Sequence, residues 1–180
     1  MPSPVGHTLL AFTVAGSKAQ SGLSQPWWWL LIIIAGVAPD FDFLPGIIVG
    51  DPNRFHHGPS HSIAAAILFA ATLWLLLKPV AKREAVILFS VYLSHLIADM
   101  LAADHGAPYG IPLLWPIHSE YFISPVPIFS NFSHGGKEAG LASVLRDIFS
   151  LPNLGAVAIE ILILGPLFWI VERRRRRLRR

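Results

Sequence analysis

The sequence contains no cysteine among its 180 residues. The absence of thiols excludes disulfide bonds, thiolate metal sites and cysteine nucleophiles, so any metal ion must be bound by nitrogen and oxygen ligands. Charge is also scarce, because only 14% of the residues are charged, whereas a soluble domain usually carries about a quarter. This composition is therefore not that of an ordinary soluble domain.

The hydrophobic residues make up 53% of the chain and are collected in long runs. A helix needs roughly 20 apolar residues to cross a bilayer. The first run, Pro4–Gly16, is short for a full span, and the runs that follow are longer: Leu30–Val49, Ser62–Leu77, Ala85–Ala103 and Leu154–Val171. The pattern predicts an all-α, polytopic bundle of about four or five transmembrane helices.

The segment between the last two runs differs in composition from the rest of the chain. Residues 104–152 are rich in proline, glycine and aromatic side chains and contain no spanning run, which predicts a long extracytoplasmic segment before the last helix. No second domain is evident, so we expect one membrane-embedded domain over residues 1–172 and a basic tail over residues 173–180. No basic region precedes the first run, so we expect that run to be retained rather than cleaved.

The basic residues predict one orientation in the membrane. The tail contains seven arginines, and arginine- and lysine-rich ends lie on the cytoplasmic side. Counting back from the tail places the turn with Lys78, Lys82 and Arg83 inside and residues 104–152 outside. Because the positive charge is concentrated in the tail, we expect it to contact anionic lipid and expect no nucleic-acid partner.

A histidine-rich stretch, Arg54–Ser62, lies between two apolar runs and holds three of the eight histidines. Histidine at a membrane edge is costly unless it has a function. Gly58 and Pro59 break regular structure and allow the loop to fold His56 and His61 toward one point. Taken alone, the stretch is equally consistent with a polar loop between helices.

Imidazole and carboxylate groups recur at the matching ends of the other runs. His95 and Asp99 are four residues apart and share one helix face, where they can bind one ion or form a buried polar contact. Asp40 and Asp42 flank a phenylalanine and repel each other unless a cation or a proton intervenes, although a hydrated helix end is the alternative. The seven candidate ligands lie on the predicted outer side: His7, Asp40, Asp42, His56, His61, His95 and Asp99.

A mixed set of histidines and aspartates suits a divalent ion such as zinc, with manganese or iron as alternatives. Seven ligands exceed what one tetrahedral ion needs, so we expect two ions, with Asp40 or Asp42 as a bridging ligand or general base. Two-metal centres of this kind support phosphoryl hydrolysis. The sequence therefore predicts a metal-dependent hydrolase that acts on a phosphoester or a lipid-linked substrate.

Four motifs together resemble a known family: Pro39–Asp42, His56–Ser62, Ser94–Asp99 and Gly110–Pro116. They are similar to those of the YdjM type of predicted membrane-bound metal-dependent hydrolases, small inner-membrane proteins of bacteria and archaea. The resemblance covers about residues 5–122 and implies metal ligands at His56 and His61. His57 stands where the family usually has arginine and Ser60 where it has threonine, so His57 is a second-tier candidate ligand.

The predicted outer segment contains further candidates. His118 and Glu120 follow the last of the four motifs directly and are second-tier site residues, whereas we expect His105 and His134 to be surface histidines. Aromatic side chains in this segment are expected at the bilayer surface, where they would admit a lipid from the side: Trp115, Tyr121, Phe122, Phe129 and Phe132.

Two non-catalytic alternatives remain at the level of the sequence. A metal transporter or sensor would also bind an ion, but a transporter should continue its polar residues through the membrane, and the predicted inner half has few. A structural protein whose outer face is held together by a metal ion has the same ligands as the enzyme.

Overall fold

The computed structural model of the chain describes residues 1–18, 23–51, 53–77, 79–104, 106, 108–133 and 141–178. Every regular element within these residues is helical, as predicted. The helices are α1 (Pro4–Ala15), α2 (Gln25–Val37), α3 (Phe43–Ile48), α4 (Ile63–Leu76), α5 (Lys82–Met100), α6 (Leu141–Ile148) and α7 (Leu151–Leu178). The predicted positions Lys78, His105 and His134 lie outside the described residues.

The acidic motif interrupts the second apolar run, because α2 ends at Val37 and a 3₁₀ segment, Ala38–Asp42, connects it to α3. Pro39 lies near the start of the 3₁₀ segment and has no backbone N–H to continue the α-helical ladder. The backbone around the two aspartates therefore departs from the α-helix. Phe41, between them, is half exposed, which leaves the flanking carboxylates free to turn inward.

Helix α1 runs antiparallel to α2 and α5, and this arrangement brings the site-bearing ends of the three helices together. The indole Nε1 of Trp28, at the start of α2, donates to the carbonyl of Gly16, just after the end of α1, at 3.1 Å. The ring of His95, near the end of α5, donates from Nδ1 to the carbonyl of Gly36, near the end of α2, at 2.8 Å. The first turn of α1 and the last turns of α2 and α5 therefore meet at one end of the bundle.

Among the described residues, two segments are long and apolar enough to cross a membrane, Gln25–Ile48 and Leu151–Leu178, and α1 and α4 are shorter apolar helices. Large apolar side chains on α4 and α7 face outward, including Leu68, Leu75 and Leu162, each at least 69% exposed. Such a surface is suited to lipid rather than water. The count of four or five spans stays a prediction. The arginine tail is not a separate segment, since α7 continues as one helix to Leu178.

An apolar core lies below the end of the bundle that carries the polar residues. Its central members are fully buried: Ala11 of α1, Trp28, Ile32 and Ala35 of α2, and Leu88 and Val91 of α5. These side chains occupy the space between α1, α2 and α5, and in a bilayer such contacts stabilise the bundle by close van der Waals packing. The core therefore forms an apolar floor beneath the polar cluster.

Helices α1 and α2 pack closely at Gly36. A Cβ atom added to this glycine would lie 2.8 Å from the Cβ of Ala11 and 3.5 Å from the carbonyl oxygen of His7. The contact of 2.8 Å is too short for two carbon atoms and would force the helices apart. Because Gly36 also accepts the hydrogen bond from His95, its lack of a side chain serves both the packing and the polar cluster.

We expect Gly36→Ala to lower the free energy of unfolding by about 1–3 kcal/mol, the usual cost of overpacking. Gly155→Ala in α7 is the matched control, since nothing lies within 4 Å of the added Cβ, and it should be neutral or stabilising by up to about 1 kcal/mol. Thermal unfolding in detergent measures both. Equal effects of the two substitutions would show that the α1–α2 contact is not tight.

Candidate metal site

All seven primary candidate residues come together at the end of the bundle where α1, α2 and α5 meet. His7 is in α1, the two aspartates lie in the 3₁₀ segment after α2, and His95 and Asp99 are in α5. His56 and His61 come from the loop before α4. A continuous series of nitrogen–oxygen contacts of 2.9–3.6 Å links the seven side chains. The structure thus confirms their predicted convergence.

Four of these residues form what we term the four-ligand group: Asp40, His61, His95 and Asp99. The Nε2 atom of His95 lies 2.9 Å from Oδ2 of Asp99 and 3.5 Å from Oδ1 of Asp40. The Nε2 atom of His61 lies 3.4 Å and 3.6 Å from the same two oxygens. Ligand atoms bound tetrahedrally to zinc at about 2.0–2.1 Å are about 3.3–3.4 Å apart, so this spacing fits one ion.

The ligand atoms of this group are buried and lack hydrogen-bond partners. Within the part of the chain that the structure describes, no hydrogen bond is made by Nε2 of His61 or His95 or by either carboxylate oxygen of Asp40 or Asp99. An unsatisfied buried polar group costs about 1–3 kcal/mol, and more if it is charged. A divalent cation would satisfy the four of these atoms that face one another, which are Nε2 of His61, Nε2 of His95, Oδ1 of Asp40 and Oδ2 of Asp99, so the residues present fit a metal ion.

The two histidines of the group are held by their other ring nitrogens. Nδ1 of His95 donates to the Gly36 carbonyl, so in the neutral form of the ring that binds a metal ion, Nε2 would be the unprotonated nitrogen. Nδ1 of His61 lies 3.1 Å from Oδ2 of Asp42, and Nε2 faces Asp40 and Asp99. Fixing one nitrogen of a ring in this way orients the other toward a metal ion.

Asp42 lies outside the four-ligand group, to which Asp40 belongs. Its Oδ2 accepts from the Ser60 hydroxyl at 2.8 Å, and its Oδ1 lies 3.1 Å from Nδ1 of His56. With its contact to His61, Asp42 holds two histidine rings and the loop that carries them. The geometry places Asp42 beside the rings that would bind an ion, and Asp40 among the four ligands themselves.

His7 lies against the four-ligand group from α1. Its Nε2 is 3.3 Å from Oδ1 of Asp99, the carboxylate oxygen that faces away from His61 and His95. Its ring stacks on that of His95 with 3.7 Å between centroids. His7 is 1% exposed, so it can either orient Asp99 or serve as a fifth ligand.

A second set, the three-histidine group, consists of His56, His57 and His61. His57 has a left-handed backbone with φ of 56°, unusual for a residue with a side chain, which turns its ring toward the other two. Its Nδ1 lies 4.0 Å from Oδ2 of Asp104. The structure thus brings the second-tier candidate His57 to the site, where it can help to hold the second predicted ion.

The loop histidines differ in their affinity for protons. Burial, together with the neighbouring His56 and His61, lowers the pKa of His57 well below its usual value, so the ring is neutral and has a lone pair for a metal ion. Burial would also lower the pKa of His61, but its contacts with Asp40, Asp42 and Asp99 outweigh burial and raise that pKa well above the usual value. A proton and a metal ion therefore compete for His61.

The other second-tier candidates are not part of the cluster. His118 and Glu120 lie on the outer segment with side chains 52% and 74% exposed, and Nδ1 of His118 is 3.9 Å from Oε2 of Glu120. Neither belongs to the two candidate metal groups of the described residues.

Several supporting residues were not identified from the sequence. The hydroxyl of Tyr92 donates to the carbonyl of Ser60 at 2.7 Å and ties the histidine loop to α5. Asp104 accepts from the backbone N–H groups of Gly106 and Gly110 and lies beside His57. Tyr92 is three residues before His95 and so shares its helix face, which is a signal available in the sequence.

A helical bundle with outward-facing apolar helices and a buried group of histidines and aspartates at one end defines a membrane protein with a candidate metal site. The chain belongs to the YdjM inner membrane protein family, whose family model matches residues 1–175. The resemblance drawn from the motifs is thereby confirmed, and the hydrolytic activity that it implied stays a prediction.

Two curated relatives are similar to part of the chain. The proteins named inner membrane protein YdjM from Escherichia coli (strain K12) and from Shigella flexneri are each 29% identical to the chain over 133 residues. The match covers 62% of this chain and 64% of each relative, which is less than two thirds of the relative's length. No solved structure matches the chain.

We expect Asp42→Asn to weaken zinc binding by roughly 10- to 100-fold, as loss of a residue that orients a ligand typically does. Asparagine keeps the size but offers one acceptor oxygen, so it cannot hold both His56 and His61. The protein should stay inserted and folded, because removing the charge also relieves repulsion with Asp40. Competition with a chromophoric chelator measures the affinity.

Asp51→Asn is the control for this substitution. Asp51 lies at the same end of the protein but belongs to neither metal group, so its substitution should leave zinc affinity unchanged. Wild-type zinc affinity in Asp42→Asn would show that Asp42 does not support the ligands.

Proposed function

We propose that this protein is a membrane-embedded, metal-dependent hydrolase that cleaves a phosphoester or lipid-linked substrate on the outer side of the cytoplasmic membrane. The observation that carries the proposal is the four-ligand group with its buried, unpartnered ligand atoms. Zinc is the ion that the nitrogen and oxygen donors fit best, with manganese and iron as alternatives. We further propose that a second ion binds, more weakly, at the three-histidine group.

The orientation rests on charge. The arginine-rich end of α7 and the α4–α5 turn belong on the cytoplasmic side, and the metal groups lie at the opposite ends of these helices. The relatives are named inner membrane proteins, which supports a location in the cytoplasmic membrane. We therefore place the site, the histidine loop and the outer segment outside the cytoplasm.

The apolar side chains that form the floor of the site favour a catalytic role over a transport role. Directly below His95 on α5, the fully buried side chains are Leu88 and Val91, which pack on Trp28 and Ile32 of α2. An ion leaving the four-ligand group toward the cytoplasm would have to cross this apolar layer, where a charge is costly. The arrangement supports a site that opens to one side only.

A cavity of about 960 Å³ lies beside the two metal groups, and Asp42, His56 and His57 line it. Arg54 is the one arginine or lysine among its described lining residues. The guanidinium lies 5.6 Å from the centre of the Phe55 ring and is exposed. An arginine beside a metal site is suited to a phosphate group, which it binds with paired hydrogen bonds.

The cavity also adjoins the lipid-facing surface. Asp42 and Pro45 line the cavity from the 3₁₀ segment and α3, while Leu44 and Ile48 of the same short helix are 57% and 85% exposed. A substrate with a phosphate headgroup and an apolar tail could place the headgroup in the cavity and leave the tail in the bilayer. This supports a lipid-linked phosphoester as the natural substrate class.

The chain's own residues would divide the work between them. Asp40, His61, His95 and Asp99 hold the ion, which supplies a Lewis acid that activates water at neutral pH and offsets phosphate charge. Asp42 keeps the His61 and His56 rings oriented. Arg54 would bind a non-reacting oxygen of the phosphate, and the buried floor excludes water from below.

The test uses zinc-loaded protein in detergent with bis(4-nitrophenyl) phosphate and with short-chain phosphatidylglycerol as substrates. We expect hydrolysis that EDTA abolishes and that added zinc restores. His61→Ala should lower kcat/KM by more than the roughly 10- to 100-fold expected for loss of a supporting residue. Arg54→Gln should raise the KM for the phosphodiester with little change in kcat.

His118→Ala is the matched control, because this exposed histidine lies outside both metal groups and its loss should leave the rate unchanged. Stable zinc binding without hydrolysis of either substrate would contradict the enzyme. If the unfolding temperature then depended on zinc, the site would have a structural role in holding α1, α2, α4 and α5 together. Its geometry favours this alternative, because four segments contribute to it.

A further inference from the structure

Helix α7 contributes no residue to either metal group, yet it contacts both ends of α1. Glu160 of α7 lies against the first turn of α1 and Arg175 of α7 against its last turn. The two helices therefore run parallel, and the metal-site residue His7 lies between these contacts, close to Glu160. The sequence interpretation did not single out Glu160.

The contact at the outer end involves the N-cap of α1. Oε1 of Glu160 accepts from the backbone N–H of Ser3 at 2.8 Å, and Oε2 accepts from the Ser3 hydroxyl. The hydroxyl oxygen of Ser3 in turn accepts from the backbone N–H of Gly6 at 3.1 Å, and the Ser3 carbonyl accepts from the N–H of His7 at 3.0 Å. Glu160 thus holds the residue that caps the turn leading into His7.

The packing at this contact leaves α1 little freedom to rotate. A Cβ atom added to Gly6 would lie 2.6 Å from Oε2 of Glu160, so the carboxylate fits directly over the glycine that precedes His7. Glu160 is 1% exposed. A buried carboxylate in a membrane-length helix is costly and is usually retained for a function, and at a helix N-terminus it is also favourably placed in the helix dipole.

The contact at the other end of α1 has the opposite charge. The guanidinium of Arg175 donates to the carbonyls of Thr13 and Val14, both at 2.8 Å. It holds the same pair of helices, but the carbonyls that it contacts lie almost two helical turns along α1 from His7. Arg175 therefore offers a matched comparison for Glu160 within one helix pair.

We propose that Glu160 is a positioning residue for the metal site, which it serves by fixing the rotation of α1 so that Nε2 of His7 faces Oδ1 of Asp99. This role rests on the proposed metal site. Loss of the Glu160 charge should free the Ser3 cap and loosen the first turn of α1. His7 would then lose its place beside Asp99, while the ligands on α5 and the histidine loop stay where they are.

The first experiment compares zinc affinity in full-length Glu160→Gln and Arg175→Gln, measured by competition with a chromophoric chelator. We expect Glu160→Gln to raise the zinc Kd by roughly 10-fold or more, in line with other residues that orient ligands. Arg175→Gln should leave it within about 2-fold, even if both variants unfold at a lower temperature. Ser3→Ala should raise the zinc Kd about as much as Glu160→Gln does. Because the two residues act through one contact, the zinc Kd of the double variant should not exceed that of the weaker-binding single variant.

The second experiment needs no metal. Diethyl pyrocarbonate modification of metal-free protein, read by mass spectrometry, reports access to His7, which is buried in the wild type. Modification of His7 should increase several-fold in Glu160→Gln and should not change in Arg175→Gln.

The outcomes separate the two proposals. If wild-type protein binds no zinc but Glu160→Gln still exposes His7, the metal site fails and the positioning role stands. The positioning role is overturned if His7 stays protected in Glu160→Gln, or if both substitutions change zinc affinity equally.

Discussion

The buried aspartates are the constraint on which the rest of this structure depends. Asp40, Asp42 and Asp99 lie at one end of a largely apolar bundle, within reach of one another through shared histidines. Carboxylates at such a depth repel one another and lose hydration, so they need positive charge or protons in return. Four histidines surround them, and the apolar floor below offers no other partner. A divalent cation would resolve this conflict with the side chains already in place.

The need to place these buried carboxylates and imidazoles explains several unusual local features of the backbone and of the packing. The 3₁₀ segment turns two aspartates inward, Gly36 allows α1 to approach α2, and the left-handed backbone of His57 turns its ring toward the cluster. Each feature interrupts regular secondary structure or reduces the side-chain area available for packing. Their concentration at one end of the bundle, above well-packed alanine and leucine contacts, marks that end as the functional one.

Much of this site could be predicted from the sequence. The i, i+4 spacing of His95 and Asp99 correctly predicts that the two side chains share one helix face. The different positions of Asp40 and Asp42 could not be predicted, because they depend on which ring nitrogen of His61 faces which carboxylate. That choice is set by Ser60 and by the packing of the loop, which no local pattern encodes. Glu160 was accessible in principle, since a carboxylate in a membrane-length run signals a role, but its partner Ser3 lies 157 residues away.

The central claim is that Asp40, His61, His95 and Asp99 hold one ion. X-ray absorption at the zinc edge, on protein loaded with one equivalent of zinc, tests this claim directly. We expect about four nitrogen and oxygen ligands at about 2.0–2.1 Å, with the outer-shell scattering of two imidazole rings and no sulfur. Six oxygen ligands without imidazole scattering, or zinc that does not stay bound, would contradict it.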